Sequence, residues 1–155
     1  MTLLLAEAGL AQRLILDEPY VAALPRAHPL ASRSDIALAE LSDDAFVLYP
    51  ARPEPSVTGL IVTACQVAGF TPRLAQEVLH LQTAIGLIAA GVGVSLVPEA
   101  AARAQTGRGV AYVPLAAPSV MAPLTIAWRD EDVSPAVQRL LDIATRWRET
   151  AAAPA

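Results

Sequence analysis

Along this chain, segments with the apolar pattern of strands alternate with segments in which apolar residues have the spacing of helices. Short apolar or alternating stretches are typical of strands, and continuous apolar runs favour strands that are covered on both faces. Prolines close several of these stretches, as expected where regular structure ends. The strands predicted in this way are 14–24, 46–49, 73–78, 92–97, 110–115 and 124–128.

Four segments, three between these strands and one after the last of them, have the i, i+3, i+4 spacing of amphipathic helices. A short helix is predicted at 35–41, capped by Ser34 or Asp35. Longer helices are predicted at 56–69, ending at Gly69, and at 81–91. The last helix, 134–148, has a serine cap followed by proline at its first position.

The alternation of strands and helices predicts an α/β fold with a largely parallel sheet. Ligands of such sheets bind beyond the carboxyl ends of the strands. The segments 49–56 and 79–83 follow two predicted strands and are therefore the first candidates for a binding site.

Composition excludes several classes of function. The 155 residues are 54% hydrophobic, which suffices for one globular domain with its own core. Eleven arginines and no lysine against 15 acidic residues give a net charge of −4, a poor match for nucleic acid. One cysteine and two distant histidines predict no disulfide, metal or other cofactor.

The chain is predicted to act in the cytoplasm and not in a membrane. No segment reaches the roughly 20 uncharged apolar residues of a membrane span. The apolar N-terminus has no basic residue before it, as a secretory signal would require.

The candidate binding residues lie in the two segments that follow predicted strands. An arginine before a helix start can hold a carboxylate, and free N–H groups at a helix N-terminus favour anions. Three of the candidates also have a plainer interpretation: Arg52 as a solvated loop arginine, His80 as a solvated loop histidine, and Thr83 as the cap of its helix. The candidates are Tyr49, Arg52, His80, Gln82 and Thr83.

The sequence predicts no enzyme. Cys65 lies on the apolar stripe of its helix, whereas a nucleophile needs an exposed, electropositive setting. The glycines at 91 and 93 follow a helix and precede a strand, the reverse of a dinucleotide-binding loop.

The chain resembles the effector-binding domain of LysR-type transcriptional regulators. Seven phrases carry the resemblance in the family's order, with "ALPxxHPLA" at 23–31 and "LIAAGVGVSLVP" at 87–98 the most specific. The resemblance extends over roughly nine-tenths of the chain, from Leu10 onward. The phrases are Glu18–Ala31, Ile36–Leu41, Phe46–Pro50, Ala68–Arg73, Glu77–Thr83, Leu87–Pro98 and Leu124–Arg129.

The resemblance implies a periplasmic-binding-protein-like fold of two α/β subdomains with a small effector between them. Residues 1–150 would form part of an effector-binding domain, with 24–124 as its second subdomain. Residues 10–23 and 125–149 would be crossover strands and the remnant of the first subdomain, and 150–155 a disordered tail. The winged helix-turn-helix and the first half of the first subdomain are expected to lie outside this sequence.

The implied function is to sense a small organic effector, a carboxylate or an aromatic acid, in a homo-oligomer that controls transcription. DNA would be contacted only through the winged helix-turn-helix. The terminal helix would expose an apolar face, predicting a partner chain, disorder near residues 1–12, or poor solubility. The alternatives are a periplasmic solute-binding protein, a small α/β enzyme, or a non-functional truncated regulator.

Overall fold

Strands and helices alternate along the chain as predicted. The computed structural model describes residues 9–51, 56–105, 109–131 and 134–151. All six predicted strands are present within these ranges. The strands are β1 (Leu10–Pro25), β2 (Ala45–Leu48), β3 (Arg73–Glu77), β4 (Ser95–Pro98), β5 (Val110–Pro114) and β6 (Met121–Arg129); the helices are α1 (Val57–Val67), α2 (Leu81–Ala89), α3 (Glu99–Ala104) and α4 (Pro135–Ala151).

Two helices differ from the prediction. The helix expected at 35–41 is only a 3-10 turn, Leu38–Leu41, because Ile36 is held extended in a parallel bridge with Leu115. The expected cap at residue 34 or 35 is wrong, since Ala37 is the N-cap and its N–H donates to the Glu40 carboxylate (2.8 Å). The short helix α3, directly after Pro98, was not predicted.

The chain forms two compact units. The large unit is Glu18–Ala122, and the small unit combines Met1–Asp17 with Pro123–Ala155. The strands β1 and β6 each continue from one unit into the other.

The sheet of the large unit is mixed, so the prediction of a largely parallel sheet needs correction. β1 pairs antiparallel with β4 and β5, and β6 also pairs with β1. β2 pairs parallel with β3, and a parallel bridge joins Phe46 to Val94 just before β4. β2 to β5 therefore share one direction, and β1 runs opposite to them.

Side chains of β1 alternate between the two faces of this sheet and contribute to two separate cores. Tyr20, Ala22 and Leu24 belong to the first core, whereas Val21 and Ala23 belong to the second. α1 packs on the first core, and α2 and α3 pack on the second. The helical residues involved are Ile61 and Cys65 of α1, Ala84, Ile85 and Ile88 of α2, and Ala102 of α3.

In the small unit, Arg13 of β1 connects a strand to a helix. Its guanidinium donates to the Thr145 hydroxyl of α4 (3.3 Å) and lies 6.0 Å from the centre of the Trp128 ring. Ser134 caps α4 as predicted, accepting the Val137 N–H at 3.4 Å. The α4 side chains exposed by about half are Leu140, Ile143 and Trp147, as expected of an uncovered apolar face.

The predicted tail at 150–155 and the predicted disorder near residues 1–12 fall mainly on residues 1–8 and 152–155, outside the described residues. Residues 10–12 belong to β1, and Thr150 and Ala151 continue α4. Among the described helices, none combines the length and apolar character needed to cross a membrane.

Candidate functional site

The parallel strands β2 and β3 end side by side. The pairing continues one step beyond β3, where the Val78 N–H donates to the Leu48 carbonyl (2.9 Å). Tyr49 follows β2 directly, and the segment from Leu79 leads into α2. We call this end of the large unit's sheet the carboxyl edge; it is the position at which α/β sheets bind ligands.

Tyr49 is fixed at the carboxyl edge by the start of α1. The buried Thr58 hydroxyl donates to the Tyr49 carbonyl at 2.7 Å. Ser56 caps α1, its hydroxyl accepting the Gly59 N–H (3.0 Å). At least one N–H group at the start of α1 is therefore already bonded within the protein and is not available to an anion.

The N-terminus of α2 presents exposed donors at the same edge. His80 is the N-cap residue, but its side chain makes no capping hydrogen bond. The interpretation of Thr83 as a helix cap is wrong, because Thr83 lies at the third helical position. The side chains of His80, Gln82 and Thr83 are exposed, and N–H groups in a first helical turn have no partner within their helix.

Four of the five candidate residues therefore follow strands that end at the carboxyl edge: Tyr49 after β2, and His80, Gln82 and Thr83 after β3. The fifth, Arg52, lies outside the described residues. Ligand binding by all five stays a prediction.

Tyr20 is a polar side chain within the stretch 14–24, which the apolar pattern predicts as a strand. It pairs with Pro98 at the end of β4 and is 3% exposed. Burial, together with the nearby Tyr49 and Glu18, raises the pKa of Tyr20 from 10.0 to about 12. Burial also raises the pKa of Tyr49. Both phenols are thus neutral hydrogen-bond donors at ordinary pH. Tyr20 differs from Tyr49 in being almost fully buried, a property that the sequence does not reveal.

The protein is expected to lose stability at alkaline pH because the buried Tyr20 phenol resists ionisation. Because the folded pKa is raised, its stabilisation is complete below pH 10 and is lost as pH rises towards about 12. We expect this group to remove about 2 kcal/mol of unfolding free energy across that window. Urea unfolding should show a smaller decline in Tyr20→Phe; an equal decline in both proteins would contradict the assignment.

The described residues contain no group of His, Cys, Asp and Glu side chains that could hold a metal ion. Cys65 is buried, and burial raises its pKa to about 11, so the thiolate needed of a nucleophile is disfavoured.

The large unit, with helices on both faces of its sheet and exposed donors at one edge, has the architecture of a small-molecule-binding α/β protein. The LysR substrate binding domain family matches residues 1–149, and the chain belongs to this family.

The relatives are transcriptional regulators. The chain is 41% identical over 138 residues to CatR of Pseudomonas putida, covering 89% of this chain and 47% of CatR. It is 31% identical over 140 residues to BenM of Acinetobacter baylyi, covering 89% of this chain and 46% of BenM. The chain thus spans about half the length of these relatives.

Solved structures confirm the fold. The BenM effector binding domain with its effector benzoate has a TM-score of 0.83 and 27% identity, over 96% of this chain and 68% of that one. The LysR family regulator CbnR has a TM-score of 0.79 and 25% identity, over 92% of this chain and 48% of that one. The fold is therefore that of a periplasmic-binding-protein-like effector domain.

Proposed function

We propose that this chain is the effector-sensing part of a LysR-type transcriptional regulator and binds a small organic anion at the carboxyl edge. The observation that carries the proposal is the exposed N-terminus of α2, where His80, Gln82 and Thr83 follow a strand ending beside Tyr49. Arg52, three residues after Tyr49 in the sequence, is proposed as a further ligand contact. The site takes no cofactor and performs no catalysis.

An anion is favoured because the groups at this edge are mainly donors. Unpaired N–H groups and the helix dipole stabilise negative charge at a helix N-terminus. The hydroxyl of Thr83 and the amide of Gln82 add neutral donors, and the Tyr49 ring adds an apolar surface. The Glu18 carboxylate, which would repel an anion, accepts the Ala100 N–H (2.9 Å).

An aromatic carboxylate fits these groups best. Its carboxylate would meet the α2 N–H groups, and its ring would lie against Tyr49. Benzoate is the effector in the BenM structure, which supports the choice of this class.

In the complete regulator, residues 24–124 are proposed as the second effector subdomain, with 10–23 and 125–149 as crossover strands and part of the first. The regulator would act in the cytoplasm as a homo-oligomer and contact DNA through a winged helix-turn-helix. Effector binding would control transcription by favouring one arrangement of the oligomer, which requires different affinities for the two arrangements.

Replacing Thr83 by alanine tests the proposed site. Fluorine NMR titration with para-fluorobenzoate should show saturable binding that Thr83→Ala weakens about tenfold, because one donor to the anion is lost. Thr71→Ala is the matched control, since Thr71 is an exposed threonine just before β3, at the other end of that strand. No saturable binding, or equal affinities of both variants, would refute the proposal.

A further inference from the structure

A second polar pocket lies at the other end of the large unit's sheet, where β1 ends and β5 begins. Pro25 pairs there with Val110, whereas Tyr20 pairs with Pro98 near the carboxyl edge. Five residues of extended strand place the two ends about 17 Å apart. The pocket has a volume of about 380 Å³ and is lined by Arg26, His28, Ala31, Ser32, Val110 and Ala111.

Backbone hydrogen bonds hold the walls of this pocket. The Arg26 N–H donates to the Gly109 carbonyl at 2.8 Å, which continues the pairing of β1 with β5. Beyond it, the Ala31 N–H donates to the His28 carbonyl at 3.0 Å and closes a turn. The pocket is therefore built between a strand pair and a hydrogen-bonded turn.

Both nitrogens of the His28 ring form hydrogen bonds within the protein. Its Nδ1 accepts the Leu30 N–H at 3.1 Å, so the ring proton resides on Nε2. Nε2 then donates to the Asp44 carboxylate at 3.1 Å. Asp44, a carboxylate close to the pocket, is thus already hydrogen-bonded, and His28 serves as a fixed wall.

Arg26 is the charged side chain left to meet a ligand. Among the described residues it makes no ion pair, whereas Arg33, nearby in sequence, lies 4.0 Å from the Glu40 carboxylate. The Ser32 hydroxyl lines the same pocket and is a neutral donor. A guanidinium and a hydroxyl that line the same pocket can donate to the oxygens of a phosphate or carboxylate group.

We propose that this pocket binds the phosphate or carboxylate group of a small metabolite, as a second site separate from the carboxyl edge. Arg26 supplies the charge and a paired hydrogen bond, and Ser32 supplies one further donor. Its volume falls within the range of small-molecule pockets. The proposal does not depend on the effector at the carboxyl edge.

The test is a two-dimensional NMR titration of the nitrogen-labelled 155-residue chain with inorganic phosphate and, separately, with acetate. Sodium chloride at equal ionic strength is the baseline. We expect saturable shifts at Arg26, Ala31, Ser32 and Ala111, with at least a tenfold loss of affinity in Arg26→Gln. The matched control is Arg33→Gln, which removes one nearby positive charge outside the pocket and should bind as the parent does.

The response to the two anions identifies the group recognised: saturation by phosphate alone defines a phosphate site, and saturation by acetate a carboxylate site. Shifts that rise linearly, that match those in sodium chloride, or that persist in Arg26→Gln would overturn the proposal. Equal losses in Arg26→Gln and Arg33→Gln would overturn it too, because they would indicate a general charge effect.

Discussion

Phe46→Ala is expected to lower the unfolding free energy by about 3–5 kcal/mol. Phe46 is fully buried at the centre of β2 and is among the largest side chains of the first core. Its ring lies 6.1 Å from that of Phe70 at a tilted angle of 43°, so the truncation removes both apolar burial and an aromatic pair. Since domains are typically stable by about 5–15 kcal/mol, this change approaches the total.

Urea unfolding followed by far-ultraviolet circular dichroism measures this effect. Both tryptophans, Trp128 and Trp147, lie in the small unit, so their fluorescence does not report directly on β2. Leu74→Ala is the control in neighbouring β3, where a half-exposed side chain should change stability by about 0.5 kcal/mol or less. A similar, small change in both variants would contradict the core assigned to Phe46.

Gly93→Ala is expected to lower the unfolding free energy by about 1–3 kcal/mol or more, through collision rather than loss of contacts. A Cβ at Gly93 would run into the backbone carbonyl oxygen of Ala45 and would stand 3.1 Å from its carbonyl carbon. That carbonyl already accepts the Val94 N–H at 2.8 Å. Backbone cannot rotate away as a side chain can, so the bridge between β2 and the β4 segment must open.

Gly86→Ala provides a control of opposite sign. Gly86 lies inside α2, and a Cβ there would meet nothing within 4 Å. Alanine at this helical position should therefore raise stability by about 0.5–1 kcal/mol. Thermal and urea unfolding should show Gly93→Ala to be less stable than the parent chain and Gly86→Ala to be more stable. Equal stability of the two variants would contradict the close packing at Gly93.

Local signals in the sequence account for the elements that were predicted well. Ser56 is followed by helical spacing, and α1 begins directly after it. Gly69 adopts a φ of +95°, a left-handed conformation that favours glycine at the end of a helix. Each of these signals depends on residues within a turn or two of one another, so sequence alone reveals them.

Contacts between distant residues account for what was missed. The direction of β1 depends on its pairing with β4 and β5, which no periodicity records. α3 is short and follows a proline, and the carboxylate of Glu18, far away in sequence, accepts an N–H of its first turn. The 3-10 turn replaces a full helix because Ile36 bridges to Leu115.

In the candidate site too, local signals identified some residues, and contacts between distant residues determine the others. Tyr49 and the residues at the start of α2 were selected because each follows a predicted strand, and β2 and β3 do pair in parallel. The burial of Tyr20 depends on β4 and on its core neighbours, so its sequence context showed only a strand residue. Effector chemistry depends on groups that converge in space, which sequence order does not specify.

The most direct test of the proposed effector site is to map benzoate onto the chain by two-dimensional NMR. We predict saturable shifts concentrated at Tyr49 and at residues 80–83, with little change at Thr71. If saturable shifts were absent from the carboxyl edge, or were centred elsewhere, the proposed effector site would be contradicted.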